Sequence, residues 1–137
     1  MNTNMSTNVV TLEEIMPSLQ GVIPTIVATS SLEHIPNVTY ISQVYFVDEH
    51  HVALSYQFFN KTIRNVRENP LLVAIITCPV SYTLHKLVLQ YKESQTTGEV
   101  FDNMSLQLDA LAIVQHKEEI FKLKAADIYE VLSIEEL

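Results

Sequence analysis

The sequence predicts a mainly β (α+β) fold in which six strands form a closed or partly closed antiparallel barrel with helices packed outside. Short runs rich in Val, Ile, Tyr and Phe alternate with turn residues, which is typical of strands joined by hairpins. Apolar residues change to helical spacing in three stretches, within 11–20, 60–69 and 98–114. Helices that interrupt an antiparallel strand order are expected to cover the sheet from outside.

The first 58 residues predict one helix and three strands. Thr11 and Glu14 have the spacing of a capping box, so we expect a short helix that reaches about Gln20 and stops at Gly21. The polar triplet 48–50 predicts a hairpin between the second and third strands. These strands are predicted at residues 22–29, 37–47 and 51–58.

The second half predicts two helices and three strands. Ile63 and Val66 lie three apart among charged residues, and Asn60 is placed to cap this helix. Pro70 ends the helix, because the residue before a proline avoids helical geometry. A helix is predicted over 98–114, and strands are predicted at 71–78, 83–94 and 128–134, with a bulge near Ala125-Ala126.

Length and composition predict one domain over 11–137, preceded by a loose polar segment, 1–10. A net charge of −8 disfavours nucleic acid and anionic lipid as partners. The longest apolar run, 71–76, is too short to cross a bilayer, so no membrane span is expected. The single cysteine and an N-terminus without Lys or Arg predict a cytoplasmic protein.

The positive charges are concentrated at one point of the chain. Residues 1–60 contain no Lys or Arg, and Lys61, Arg64 and Arg67 then follow within seven residues. Backbone N–H groups at the start of a helix, together with the Lys61 charge and the Thr62 hydroxyl, favour a phosphate. The alternative is a solvated helix face whose cations pair with neighbours such as Glu68. The chain has only two glycines, too few for a glycine-rich phosphate loop.

Two segments carry a resemblance to a known family. Residues 36–48, PNVTYISQVYFVD, and 52–70, VALSYQFFNKTIRNVRENP, place Lys61-Thr62 and Asn69-Pro70 after two consecutive strands. This pattern resembles the pyridoxamine 5′-phosphate oxidase-related FMN-binding proteins. The resemblance implies a six-stranded antiparallel split β-barrel, FMN as cofactor, and a homodimer that holds the cofactor between its subunits.

The resemblance also implies cofactor-binding positions. These are Thr39, Tyr40, Ile41, Ser42 and Gln43 along the flavin and ribityl chain, Ser55 and Tyr56 on the next strand, Asn60, Lys61 and Thr62 at the phosphate, and His85 at the side of the flavin. Thr39 stands where the oxidase proper has an arginine, which removes a bidentate phosphate contact. The oxidase's C-terminal substrate-binding region has no match here. Oxidation of pyridoxamine phosphate is therefore not expected.

Three functions remain open: an FMN-dependent oxidoreductase acting on an unknown substrate, a non-catalytic sensor or carrier of flavin or another ligand such as haem, and an interaction domain with an empty pocket. No residue is identified as a catalytic acid or base. No metal site is expected, because neighbouring strand residues such as His50 and His51 point to opposite faces. Cys78 is interpreted as a small core residue.

Overall fold

The computed structural model describes residues 10–41, 44–55, 60–115 and 123–137. Its centre is one seven-stranded sheet in which all neighbouring strands are antiparallel, in the order β2-β1-β5-β6-β7-β4-β3. The strands are β1 Thr25–Ser30, β2 Pro36–Ile41, β3 Tyr45–Asp48, β4 His51–Leu54, β5 Leu71–Thr77, β6 Leu84–Gln95 and β7 Ala126–Glu136. The α-helices are α1 Met16–Leu19, α2 Asn60–Glu68 and α3 Glu99–Gln115.

The prediction of six strands is wrong, because the single strand expected over 37–47 is two strands. β2 pairs with β1, and β3 pairs with β4, so these two strands lie at opposite edges of the sheet. Just before β3, the backbone N–H of Val44 donates to the carbonyl of Leu19, outside the ladder, at 3.0 Å. β2 and β3 do not pair within the described ranges, so the sheet is mainly antiparallel, as predicted, but not closed.

The predicted helices form close to their expected limits. Thr11 Oγ1 accepts a hydrogen bond from the Glu14 backbone N–H at 3.3 Å, which is the first of the two capping-box bonds, and donates to Glu14 Oε1 at 3.2 Å. A turn of 3-10 helix, Glu13–Ile15, precedes α1, and Gly21 follows with a positive φ of 82°. Of the predicted loose segment 1–10, all but Val10 lies outside the described residues, and Val10 packs against the core.

The strand sequences divide the sheet into a buried face and an open face. Along β5, Leu72, Ala74 and Ile76 are buried, while the residues between them are half-buried. The same alternation on β1 and β6 builds one core, which is covered by α1 and by Val66 of α2. A smaller cluster joins Met104 of α3 to Ala126 and Ile128 of β7.

The open face carries large apolar side chains on β2, β1 and β5, the three neighbouring strands at one end of the sheet. Ile26 on β1, Val38 and Tyr40 on β2 and Leu71 on β5 are all exposed. The β1–β2 register places Tyr40 beside Ile26, and the β1–β5 register continues this row to Ile75. We call Ile26, Val38, Tyr40 and Leu71 the open apolar face. An apolar sheet surface of this kind is typical of a protein interface.

The bulge predicted near Ala125-Ala126 lies elsewhere. The β6–β7 pairing shifts between Val88 and Leu89 and again between Tyr91 and Glu93, which leaves one extra residue on β7 and then one on β6. These two shifts bend the longest ladder of the sheet. No helix among the described residues is long and apolar enough to span a membrane.

Candidate functional site

Three side-chain hydrogen bonds fix α2 and the residue that follows it against β1 and β2. Asn65 Nδ2 donates to Thr29 Oγ1 at 3.1 Å in the protein interior. Asn37 Nδ2 on β2 donates to Thr62 Oγ1 at 3.0 Å. At the end of the helix, Asn69 Nδ2 donates to the carbonyl oxygen of Ser30 at 3.4 Å. These contacts hold the start of α2 beside β2, the strand predicted to carry the flavin.

A cavity of about 350 Å³ separates α2 from the β1–β2 turn. We call it the Lys61 cavity. Lys61, Arg64, Asn65 and Glu68 form its α2 wall, since positions i, i+3, i+4 and i+7 share one helix face. The opposite wall is formed by Ser31, Leu32, Glu33 and Ile35.

The Lys61 cavity holds two cations and two carboxylates. Lys61 and Arg64 are exposed, and neither forms an ion pair within 4.0 Å with any residue in the described ranges. Glu33 and Glu68 line the same space. The two cations are therefore available to an anion, although the carboxylates offset part of their charge.

The Thr62 side chain is buried and holds α2 against β2, so it is not available to a ligand. Its side chain is 1% exposed, and its hydroxyl accepts the hydrogen bond from Asn37. Of the predicted pair Lys61-Thr62, only Lys61 therefore faces solvent. Asn60 opens α2, as expected for a cap, but its side chain lies outside the described part of the structure.

Arg67, the third cation of the cluster, belongs to an internal network. Its Nη2 donates to Ser94 Oγ at 3.0 Å and lies 4.0 Å from Asp127 Oδ1, while its guanidinium lies 5.2 Å from the centre of the Tyr91 ring. Ser94 Oγ donates to Asp127 Oδ1 at 2.6 Å. Burial raises the pKa of the Asp127 carboxyl, and the Ser94 hydrogen bond and the Arg67 charge oppose that rise.

The predicted flavin strand presents alternate residues to the two faces of the sheet. Tyr40 is 64% exposed on the open apolar face, Thr39 is half-buried, and Ile41 is buried in the core. Ser55 is half-buried just after β4 and makes a contact of its own. Ser42, Gln43 and Tyr56, also predicted as cofactor-binding residues, lie outside the described residues.

His85 lies at the other end of β5 from α2, opposite Ile76 in the β5–β6 ladder. Its side chain is 7% exposed, and its Nδ1 has no hydrogen-bond partner among the residues that the structure describes. It lines a second cavity, of about 320 Å³, between α1, the β5–β6 turn and the end of β7. We call this the Cys78 cavity; its walls are formed by Val10, Glu14, Ile15, Pro17, Ser18, Cys78, Ser81, Thr83, His85 and Glu136. His85 is thus separated from the Lys61 cavity by the length of a strand.

Cys78 is half-buried in this second cavity, and the prediction of a core residue missed its environment. The Ser81 side chain, the Ser81 and Val80 backbone N–H groups and Ser18 lower the pKa of the Cys78 thiol to about 7, because they donate to the thiolate. The backbone N–H of Cys78 donates to the carbonyl of Thr83 at 2.9 Å and closes the turn. The sequence signal was the Pro79-Val80-Ser81 turn, which places donors directly after the cysteine.

Solved structures share this architecture at low sequence identity. An FMN-binding protein from Syntrophomonas wolfei is 17% identical, with a TM-score of 0.75 over 91% of this chain and 86% of its own. HupZ from Group A Streptococcus is 20% identical, with a TM-score of 0.68 over 94% of each chain. HutZ, the heme storage protein from Vibrio cholerae, is 14% identical, with a TM-score of 0.58 over 90% of this chain and 93% of its own.

The same fold occurs in pyridoxamine 5′-phosphate oxidase-like proteins from Lactobacillus delbrueckii and Listeria innocua, in a NimC/NimA family protein and in an F420 reductase. No family model and no curated protein sequence matches the chain. The structural similarity confirms the predicted resemblance at the level of the fold.

Proposed function

Since the chain has the pyridoxamine 5′-phosphate oxidase-like split-barrel fold, we propose that it binds FMN and serves as a flavin-dependent oxidoreductase. The observation that carries the proposal is the pair of exposed cations, Lys61 and Arg64, that line a cavity at the start of α2 without an ion-pair partner in the described residues. The FMN-binding protein from Syntrophomonas wolfei, which has the same fold, supports flavin as the ligand.

The donor set of the Lys61 cavity fits a phosphate. Lys61 supplies a compact charge in the first turn of α2, where free backbone N–H groups and the helix dipole also favour an anion. Arg64, one turn later, supplies a planar fork that suits phosphate oxygens. Thr62 contributes indirectly, because its hydrogen bond with Asn37 sets the distance between α2 and β2.

The open apolar face supports a second part of the proposal, a homodimer that holds the cofactor between subunits. Tyr40 and Val38 on β2 extend this face next to the strand end that contacts α2. A second copy would cover these side chains, and burial of apolar surface drives such association. A flavin ring lying beside Tyr40 would then be shielded from water on both sides.

Bound FMN supplies hydride and electron transfer, while the protein supplies binding, orientation and electrostatic tuning. Thr39 alternates with Tyr40 along β2, so its half-buried hydroxyl faces the other side of the strand from a flavin that lies beside Tyr40, and we assign it no contact with the ring. We assign no proton transfer to a residue of this chain. In the proposed oxidoreductase, the hydride or electron transfer is therefore carried out by the cofactor.

The competing function is non-catalytic binding of flavin or of another ligand. HutZ and an F420 reductase share the fold, which favours haem and a deazaflavin as the alternatives to FMN. Haem requires an axial ligand, most often a histidine, and His85 lines the Cys78 cavity with an Nδ1 that has no partner within the described part of the chain. The ligands differ in their visible spectra, so a single measurement separates them.

The test starts from the absorbance spectrum of the purified protein before and after denaturation. Release of FMN supports the proposal, whereas a haem spectrum or a colourless protein that does not take up added FMN would overturn it. NADH or NADPH oxidation above the rate of free FMN then separates the oxidoreductase from the carrier. An FMN-binding protein without such turnover with any donor is a carrier.

The phosphate site is tested by titrating FMN into variants. Lys61→Ala and Arg64→Ala should each weaken FMN binding by about 1.5–3 kcal/mol, or roughly 10- to 150-fold in Kd, because each removes a charge-assisted hydrogen bond. Riboflavin, which lacks the phosphate, should bind these variants as it binds the original protein. Glu33→Gln should tighten FMN binding, because it removes an opposing charge from the cavity. Unchanged Kd values in the alanine variants would place the phosphate elsewhere.

A further inference from the structure

Asp127 is a buried carboxylate that the proposed cofactor site does not use. It is 3% exposed near the start of β7, where its register neighbours are Ser94 on β6 and Leu54 on β4. Burial raises the pKa of this carboxyl, which means that its charged form costs the folded state free energy. An asparagine at this position can accept the same hydrogen bond from Ser94 without that cost. The negative charge, rather than the hydrogen bond, therefore requires an explanation.

The charge of Asp127 acts on Arg67 through hydrogen bonds with fixed directions. The single proton of the Ser94 hydroxyl is donated to Asp127 Oδ1 at 2.6 Å, so Ser94 Oγ accepts from Arg67 Nη2 at 3.0 Å. The Tyr91 hydroxyl, which lies within hydrogen-bond distance of Ser94 Oγ, donates to it for the same reason. A hydroxyl that donates to a carboxylate becomes a stronger acceptor, so the charge on Asp127 strengthens the hold on Arg67.

Arg67 links α2 to β6 and β7, whereas the residues Thr62, Asn65 and Asn69 are hydrogen-bonded to residues of β1 or β2. Arg67 follows Asn65 by two positions, which places the two side chains on opposite sides of the helix. Contacts along one side of a helix leave it free to roll, and the apolar packing of Val66 opposes a roll only weakly because it is non-directional. A directed hydrogen bond from the opposite side removes this freedom.

We propose that Asp127 is a positioning residue, whose carboxylate holds Arg67 and thereby fixes the orientation of α2. The same helix carries Lys61 and Arg64, which line the Lys61 cavity, so its orientation sets where their charges meet a phosphate. Asp127 itself does not line that cavity. The hold on α2 stands on the hydrogen bonds of Arg67 and Ser94, and the effect on ligand binding rests on the proposed function.

Amide hydrogen exchange at pH 7, followed by mass spectrometry of the full chain, tests the hold on α2 without a ligand. The readout is the exchange rate of peptides from α2 divided by that of peptides from β5. Asp127→Asn should raise this ratio roughly three- to ten-fold, the effect of one net hydrogen bond. Exchange in β5 should be no faster than in the original protein, because the variant lacks the buried charge. A merely structural role would change both segments in the same direction.

Two further variants show whether the charge acts through Arg67. Glu130→Gln is the matched control: it removes the same charge from the same strand, but its partner is Lys92 at 2.9 Å, so the ratio should stay unchanged. In an Arg67→Gln background, Asp127→Asn should change the ratio by less than about two-fold, because both substitutions remove one shared contact. An equal rise with and without Arg67 would overturn the proposed route.

FMN titration tests the effect on the Lys61 cavity. Asp127→Asn should weaken FMN binding by roughly three- to ten-fold, a size that is typical of residues acting on a site they do not touch, and should leave riboflavin binding unchanged. Faster α2 exchange with an unchanged Kd for FMN would overturn the positioning role. Unchanged α2 exchange would overturn the whole inference and leave the proposed function standing. An original protein that takes up no FMN would overturn the proposed function, while α2 exchange still decides whether Asp127 holds the helix.

Discussion

Asn65 and Thr29 share a hydrogen bond inside the protein, although they lie 36 positions apart in the chain. Asn65 Nδ2 donates to Thr29 Oγ1 at 3.1 Å, and both residues are buried. This contact ties the middle of α2 to β1. Because Lys61 and Arg64 are carried by the same helix, the geometry of the Lys61 cavity depends on this buried hydrogen bond.

Asn65→Ala should lower the free energy of unfolding by about 1–3 kcal/mol, because it leaves the buried Thr29 hydroxyl without its donor. Urea denaturation followed by far-UV circular dichroism measures this loss. Arg64→Ala, one position earlier on an exposed part of α2, is the control and should change stability by less than about 0.5 kcal/mol. Equal midpoints for the two variants would show that the buried bond contributes nothing.

Asp127 should make the protein less stable as the pH rises through the acidic range. Burial raises the pKa of this carboxyl in the folded state above its unfolded value. Between the two pKa values the folded state binds more protons than the unfolded state, so the free energy of unfolding falls with increasing pH. Above the folded pKa the cost is complete and constant.

Asp127→Asn removes this titration and keeps an oxygen that can accept from Ser94. The variant should therefore gain stability relative to the original protein as the pH is raised from 3 towards neutrality, measured as the difference between the two thermal midpoints at each pH. Glu130→Gln is the control, and its effect should have the opposite sign. Lys92 lowers the pKa of the Glu130 carboxyl in the folded state, so the carboxylate stabilises the fold as the pH rises. The Glu130→Gln variant should therefore lose stability relative to the original protein over the same pH range. A constant difference between Asp127→Asn and the original protein would contradict the assignment.

The open apolar face should decide the oligomeric state. Tyr40→Lys places a charge on this face, so we expect it to convert the proposed homodimer to a monomer and to weaken FMN binding at the same time. Sedimentation velocity measures the first effect and FMN titration the second. Leu106→Lys, at an exposed position of α3, is the control. A Tyr40→Lys protein that stays dimeric would remove this face from the interface.

Cys78 should react with iodoacetamide in a pH-dependent way, with a midpoint of about 7, because the surrounding donors hold the thiol pKa there. Glu14, His85 and Glu136 are the titratable groups that share its cavity. Ser81→Ala removes the largest of the favourable contacts and should move the midpoint upward. Val80→Ala retains its backbone N–H donor and should leave the midpoint in place.

The sequence alone determined the local elements. The capping residues Thr11 and Glu14, the period change at Asn60 and the stop at Pro70 gave α1 and α2 within a few residues, because these signals depend on neighbours in the chain. The resemblance around 36–70 also predicted the fold that the solved structures share. The helix limits and the resemblance could both be predicted because each depends on residues that are close together in the sequence.

Only the tertiary structure decided which partner each strand and side chain takes. Residues 37–47 have a continuous strand pattern, but β2 and β3 separate because they pair with β1 and β4, which lie near opposite ends of the sheet. Likewise, three cations that look alike in sequence divide into Arg67, paired near Asp127, and Lys61 and Arg64, which face a cavity. Such choices depend on distances between residues far apart in the chain, and those distances exist only once the sheet has formed.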